Sequence, residues 1–245
     1  MKLDILAIGV HPDDVELGCA GTILTEIKNG KKAGIVDLTQ GELGTRGTAE
    51  TRHAEAAEAA RSLGVSAREN LKMRDGFFKN DEEHQLILIR AIRKYQPEII
   101  LANIKDDRHP DHGRAGQLIA DACFLSGLVK IKTTDEGREQ DRWRPKYVLH
   151  YLQDWYHEPD LLIDISGVFE QKMRSIEAYS TQFHVKGAKQ EDGLKTYIST
   201  PDFLESVIAR SRMFGKRIGV KYAEGFVSDK TIGIRSLDAL LQMET

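Results

Sequence analysis

Two tetrapeptides hold the side chains best suited to chemistry: His11-Pro12-Asp13-Asp14 and His109-Pro110-Asp111-His112. Imidazole and carboxylate together suit a borderline divalent ion, and a catalytic zinc keeps about three protein ligands with one position open for water. His11, Asp14 and His112 would make such a set. A structural zinc is more often closed by four protein ligands, so a set of three favours catalysis. The proline after each histidine fixes φ and stiffens the loop that carries the ligands. Water activated at such a centre needs a base to take its proton, and Asp13, next in sequence to a ligand, fits that role. His109, when protonated, could stabilise a developing oxyanion, with Asp111 orienting its ring.

Either motif alone is ordinary loop sequence, and Asp14 could simply cap a helix beginning at residue 15. The elements around the motifs change that weighting. Short β-branched and apolar runs alternate with stretches of helical period, the pattern of a mostly parallel sheet covered by helices. Strands are expected over 3–10, 33–39, 70–73, 98–104, 146–152 and 161–165. Helices are expected over 15–29, 48–63, 81–95, 112–124, 168–179 and 201–214. Each motif therefore follows a buried strand and opens a helix. In a doubly wound sheet both loops fall at the carboxyl edge, where ligands bind. The fold class expected is α/β, a Rossmann-like three-layer sandwich of five to seven strands forming a single domain over 1–245. Residues 130–144, highly charged and without apolar periodicity, read as a surface excursion.

Composition narrows the alternatives. The 245 residues are 40% hydrophobic and 30% charged with six prolines, which excludes disordered and collagenous chains. A net charge of −3 and a pI near 6.3 argue against nucleic-acid binding driven by bulk charge. Cys19 and Cys123 are too few for a disulfide framework and suit a reducing compartment. With no signal-peptide pattern in MKLDILAIGV and no apolar run near the roughly 18 residues that cross a bilayer, a cytoplasmic location without membrane contact is expected. Both thiols read as buried and structural. No GxGxxG or GxxxxGK[ST] follows the first strand, which disfavours a non-catalytic nucleotide-binding module.

The first motif, read as HPDDVELG with Glu16 and Gly18, and the unaltered second motif HPDH resemble the LmbE-like or PIG-L zinc-dependent N-acetylglucosamine deacetylases. The resemblance extends through VDLTQGELGTRGT, ETRHAEAAEAARSLG and YAEGFV (222–227). These look like the bacillithiol-pathway branch that deacetylates N-acetylglucosaminyl malate. It implies one Zn2+ per chain on His11, Asp14 and His112, with Fe2+ as another occupant, Asp13 as general base and then acid, and His109 as electrophilic stabiliser. It further implies sugar contacts from Arg52, to which Arg108 beside the second motif adds a candidate, and a homo-oligomer. Free N-acetylglucosamine or its oligomers, and a thiol-conjugate amide, are the alternative substrates.

Overall fold

The computed structural model describes residues 1–185 and 194–241. Its centre is a seven-stranded sheet built from β1 (Ile5–Gly9), β2 (Ala33–Thr39), β3 (Ala67–Met73), β4 (Ile99–Asn103), β7 (Tyr147–Tyr151), β8 (Leu161–Asp164) and β9 (Ala223–Ser228). A separate two-stranded ribbon is made by β5 (Thr134–Asp135) and β6 (Arg138–Glu139). The helices are α1 (Asp14–Lys28), α2 (Ala49–Leu63), α3 (Glu82–Tyr95), α4 (Pro110–Leu125), α5 (Phe169–Glu177) and α6 (Pro201–Arg217).

The strand order is β3-β2-β1-β4-β7-β9-β8. Pairing is parallel from β3 through β7, and β9 lies antiparallel to both of its neighbours. The chain winds one way from β1 through β2 and β3, and the other way beyond β4. The order therefore reverses between β1 and β4, and a switch point of this kind opens a crevice at the carboxyl ends of two adjacent strands. Both motifs sit at that crevice, one after each strand.

Strand alternation makes two cores. Leu6 and Ile8 of β1 pack with Val36, Leu38 and Ile100 against α3 and α4, whereas Ile5 and Ala7 pack with Ile35, Leu101 and Leu149 against α1 and α5. All five residues of β1 are buried, as expected of a parallel strand covered on both faces. Helix ends follow local chemistry. Asp81 and Thr48 accept amides at the starts of α3 and α2, and Gly64 closes α2 in the left-handed region at φ 73. Gly116 lets α4 approach the chain after β4, because a Cβ there would lie 2.7 Å from the Asn103 carbonyl.

Three readings change. The helix expected from residue 112 begins at Pro110, since proline suits the first helical position and His109 serves as the cap. The 130–144 excursion is not featureless, because Glu136 and Gly137 take positive φ and turn it into the β5–β6 ribbon. Residues 222–227 cover most of strand β9, whose antiparallel place between β7 and β8 has no local signature. No helix among the described residues is long and apolar enough to cross a membrane.

Candidate active site

Asp14 is the first residue of α1, not its cap. Its Oδ2 accepts the amides of Val10 and His11, both at 3.0 Å, and Asn103 Nδ2 at 3.1 Å. Its Oδ1 accepts Gln153 Nε2 at 2.7 Å. Burial opposes the charge, but His112, His11 and these donors outweigh it and hold the carboxyl well below the usual range. The result is a carboxylate fixed in place from four directions.

The two histidines close on it. His112 Nε2 lies 3.3 Å from Asp14 Oδ1, and His11 Nδ1 lies 3.7 Å from Asp14 Oδ2. The far ring nitrogens are occupied: His112 Nδ1 meets Asp107 Oδ2 at 2.7 Å and His11 Nε2 meets Asp75 Oδ1 at 3.0 Å. One ligand atom from each of His11, Asp14 and His112 lies within 4.8 Å of the others, and all three residues line the cleft. Ligands about 2.0–2.2 Å from one small ion lie roughly 3–3.5 Å apart, so this donor set fits a divalent ion. The carboxylate behind each imidazole is the usual arrangement for orienting a metal-binding histidine. Without an ion, burial disfavours the charged His112 ring, yet Asp14 and Asp107 prevail and push its pKa up to about 10. Metal would replace that proton.

Asp13 stands beside this group under strain. Its φ of 133° lies far outside the region favoured by side chains with a Cβ, and its own side chain makes no cap bond to α1. Arg52 compensates: Nη2 donates to Asp13 Oδ2 at 2.9 Å and to the Pro12 carbonyl at 2.7 Å. Burial raises the Asp13 pKa to about 7, with Arg52 opposing and Asp14 adding to the rise. A carboxyl near neutrality can both accept and return a proton.

His109 Nδ1 accepts the backbone amide of Asp111 at 3.2 Å. Nδ1 is then the acceptor and the neutral ring carries its proton on Nε2, still a donor. Burial lowers the His109 pKa, and the neighbouring His11 and His112 rings lower it further. The expectation that Asp111 orients His109 through its side chain changes accordingly. The amide does so, because it is one of the free donors in the first turn of α4, while the carboxylate receives Gly76 N at 2.9 Å and Arg114 Nη1 at 2.7 Å. The expected protonated donor changes with it: the neutral ring can donate.

Arg52 and Arg108 both line the cleft of about 380 Å³, but in different states. Arg52 is buried and spends its guanidinium on Pro12, Asp13 and Gly41, leaving Nε buried without a partner. Arg108 is more open, paired with Asp154 at 2.6 Å and stacked over Tyr197. Asp75, Asn103, Asp107 and Gln153 were not anticipated from sequence. Asp107, two residues before the second motif, carried the nearest signal. The others come from strand ends whose proximity only the sheet order reveals.

A Rossmann-like sheet with a buried His2Asp group across its switch point has the donor set and the open crevice of a metal-assisted enzyme. The family described as GlcNAc-PI de-N-acetylase, PIG-L, matches residues 6–123, and the chain belongs to this family. It is 29% identical to the diacetylchitobiose deacetylase of Thermococcus kodakarensis over 90% of this chain and 81% of the relative. It is 27% identical to the probable N-acetyl-alpha-D-glucosaminyl L-malate deacetylase 2 of Bacillus subtilis, over 80% and 90%. Among solved structures, a conserved protein of Thermus thermophilus superposes with a TM-score of 0.82 at 36% identity, over 95% of this chain and 98% of that one.

Proposed function

We propose that the chain is a zinc-dependent deacetylase of an N-acetylglucosaminide, with N-acetyl-alpha-D-glucosaminyl L-malate as its substrate in bacillithiol biosynthesis. The observation that carries the reading is the convergence of His11, Asp14 and His112 beside a strained, buried Asp13 in one cleft. Similarity to the Bacillus subtilis relative supports the malate conjugate. Similarity to the Thermococcus enzyme supports the glucosamine part in general.

In this reading His11, Asp14 and His112 hold the ion, which when bound supplies Lewis acidity toward the acetamide carbonyl and the attacking water. Asp13, kept in place by Arg52, takes the water proton and returns it to the departing amine. His109 Nε2–H donates to the oxygen on which negative charge develops. Asp111 acts on His109 through its amide. No covalent enzyme intermediate is needed, so the products are acetate and the free amine. Arg52, which lines the cleft, is the sugar contact in this reading. Arg108, at the cleft wall, recognises the malyl carboxylates. Residues 1–245 act as one deacetylase domain, cytoplasmic and self-associating.

The test is acetate release by zinc-loaded protein from three substrates: the malate conjugate, N,N'-diacetylchitobiose and free N-acetylglucosamine. The proposal expects the highest kcat/KM on the malate conjugate. Preference for the disaccharide would keep the deacetylase and move the substrate. Absence of acetate release from all three would remove the N-acetylglucosaminide reading.

A further inference from the structure

The carboxylates behind the two histidines do more than face an imidazole. Asp75 Oδ1 meets His11 Nε2, while its Oδ2 accepts the amide of Leu43 at 3.1 Å. The same loop grips back, because Asp75 N donates to Glu42 Oε1 at 2.8 Å. Leu43, Gly44 and Thr45 form one wall of the cleft. Asp107 repeats the arrangement across the site. Its Oδ2 meets His112 Nδ1 and its Oδ1 accepts the amide of Trp155 at 2.8 Å. The chain of Trp155 follows Gln153 and Asp154, which form the opposite wall. His157 Nε2 ties that wall to the Asp106 carbonyl at 2.8 Å.

Each carboxylate thus spends one oxygen on a histidine and the other on a wall, and both are buried, at 5% exposure for Asp75 and 7% for Asp107. Hydrogen bonds to an ionised acceptor are about twice as strong as neutral ones, so neither link is incidental. We infer that Asp75 and Asp107 are positioning residues that latch the two cleft walls to the metal-holding histidines, so that ion binding and the order of the walls are coupled. A bound ion fixes each imidazole, each imidazole fixes its carboxylate, and each carboxylate fixes one loop amide. Coupling of this kind is reciprocal: a carboxylate that orders a wall when the ion binds must also strengthen the ion's binding.

Each wall also keeps a second tie. Arg52 Nη1 donates to the Gly41 carbonyl while its Nη2 donates to Asp13, and Gln153 Nε2 donates to Asp14. Loss of either carboxylate therefore loosens its own wall without freeing it completely.

The inference rests on the proposed metal site, and its test uses zinc alone, without substrate. Zinc affinity is measured by competition titration, and amide hydrogen exchange is followed with and without zinc, on the full chain and on Asp75→Ala, Asp107→Ala and His112→Ala. Zinc should slow exchange around Leu43 and around Trp155 in the unaltered chain. Asp75→Ala should reduce the effect at Leu43 and keep it at Trp155, whereas Asp107→Ala should reduce it at Trp155 and keep it at Leu43. Each should weaken zinc binding by about 10–100-fold. The asparagine variants, where alanine prevents folding, should move both readouts in the same direction by less. Zinc affinity unchanged in both variants, or equal loss of protection at both walls, would overturn the latch. Unchanged zinc affinity in His112→Ala would instead overturn the metal site itself.

Discussion

The cleft and the opposite flank of the sheet both bury cations, and they neutralise them differently. At the cleft every charged ring or guanidinium meets a carboxylate: His112 meets Asp14 and Asp107, and Arg52 meets Asp13. At the flank the buried Arg93 donates to neutral oxygens, the carbonyls of Ser126, Leu128 and Ile131 and the Thr133 hydroxyl, and to no carboxylate. Its acceptors include the end of α4, whose last carbonyls lack helical partners. Arg93 is thus a fastener, satisfied once and for all. The cleft differs in what its groups can still exchange: the His11, Asp14 and His112 atoms that face one another can take an ion in place of a proton, and a strained Asp13 carboxyl sits near neutrality. Satisfied charge indicates architecture here, and charge with spare valence indicates chemistry.

The largest effect should come from breaking the cleft side. His112→Ala removes one of three ion-holding groups and leaves Asp14 and Asp107 facing each other without the ring. It should lose bound zinc, by elemental analysis, and lose measurable turnover, while circular dichroism stays that of the folded chain. The flank should respond in the opposite sense. Arg93→Ala removes four hydrogen bonds that fasten the end of α4 and the chain after it, and unfolding in urea should show a loss of about 2–3 kcal/mol with kcat and KM unaltered. A change in KM there would blur the distinction between the two regions.

The smallest effect concerns the helix that carries Arg93. Tyr95 donates to Glu69 at 2.7 Å, and burial, together with that bond, raises its pKa from 10.0 to about 12. A raised folded-state pKa contributes stability that is complete below the unfolded value and is lost as pH rises through the folded one. The urea midpoint of the native chain should therefore fall between pH 10 and about pH 12. Tyr95→Phe should remove that part of the slope and leave the rest of the curve in place.

The strands themselves were largely legible because parallel strands covered on both faces read as continuous apolar runs, and β2 falls on the expected 33–39. Strand β9 was not, since its place between β7 and β8 depends on pairing with residues far away in sequence. The site divides in the same way. His11, Asp13, Asp14, His109 and His112 were legible because their spacing follows two strand ends. Asp75, Asn103 and Gln153 look like any loop polar residue until the strand order sets them beside Asp14 and His11. Asp111 shows a further limit: its identity suggested a carboxylate acting on His109, and only the helix start at Pro110 reveals that its amide does so.

The central claim is that Asp13 performs the proton transfers while three other residues hold the ion. Its most direct measurement is acetate release from N-acetylglucosaminyl malate by Asp13→Asn, with zinc content determined on the same sample. The account predicts one zinc per chain, as in the unaltered protein, and turnover lower by about a thousand-fold. Undiminished turnover at full zinc occupancy would contradict it.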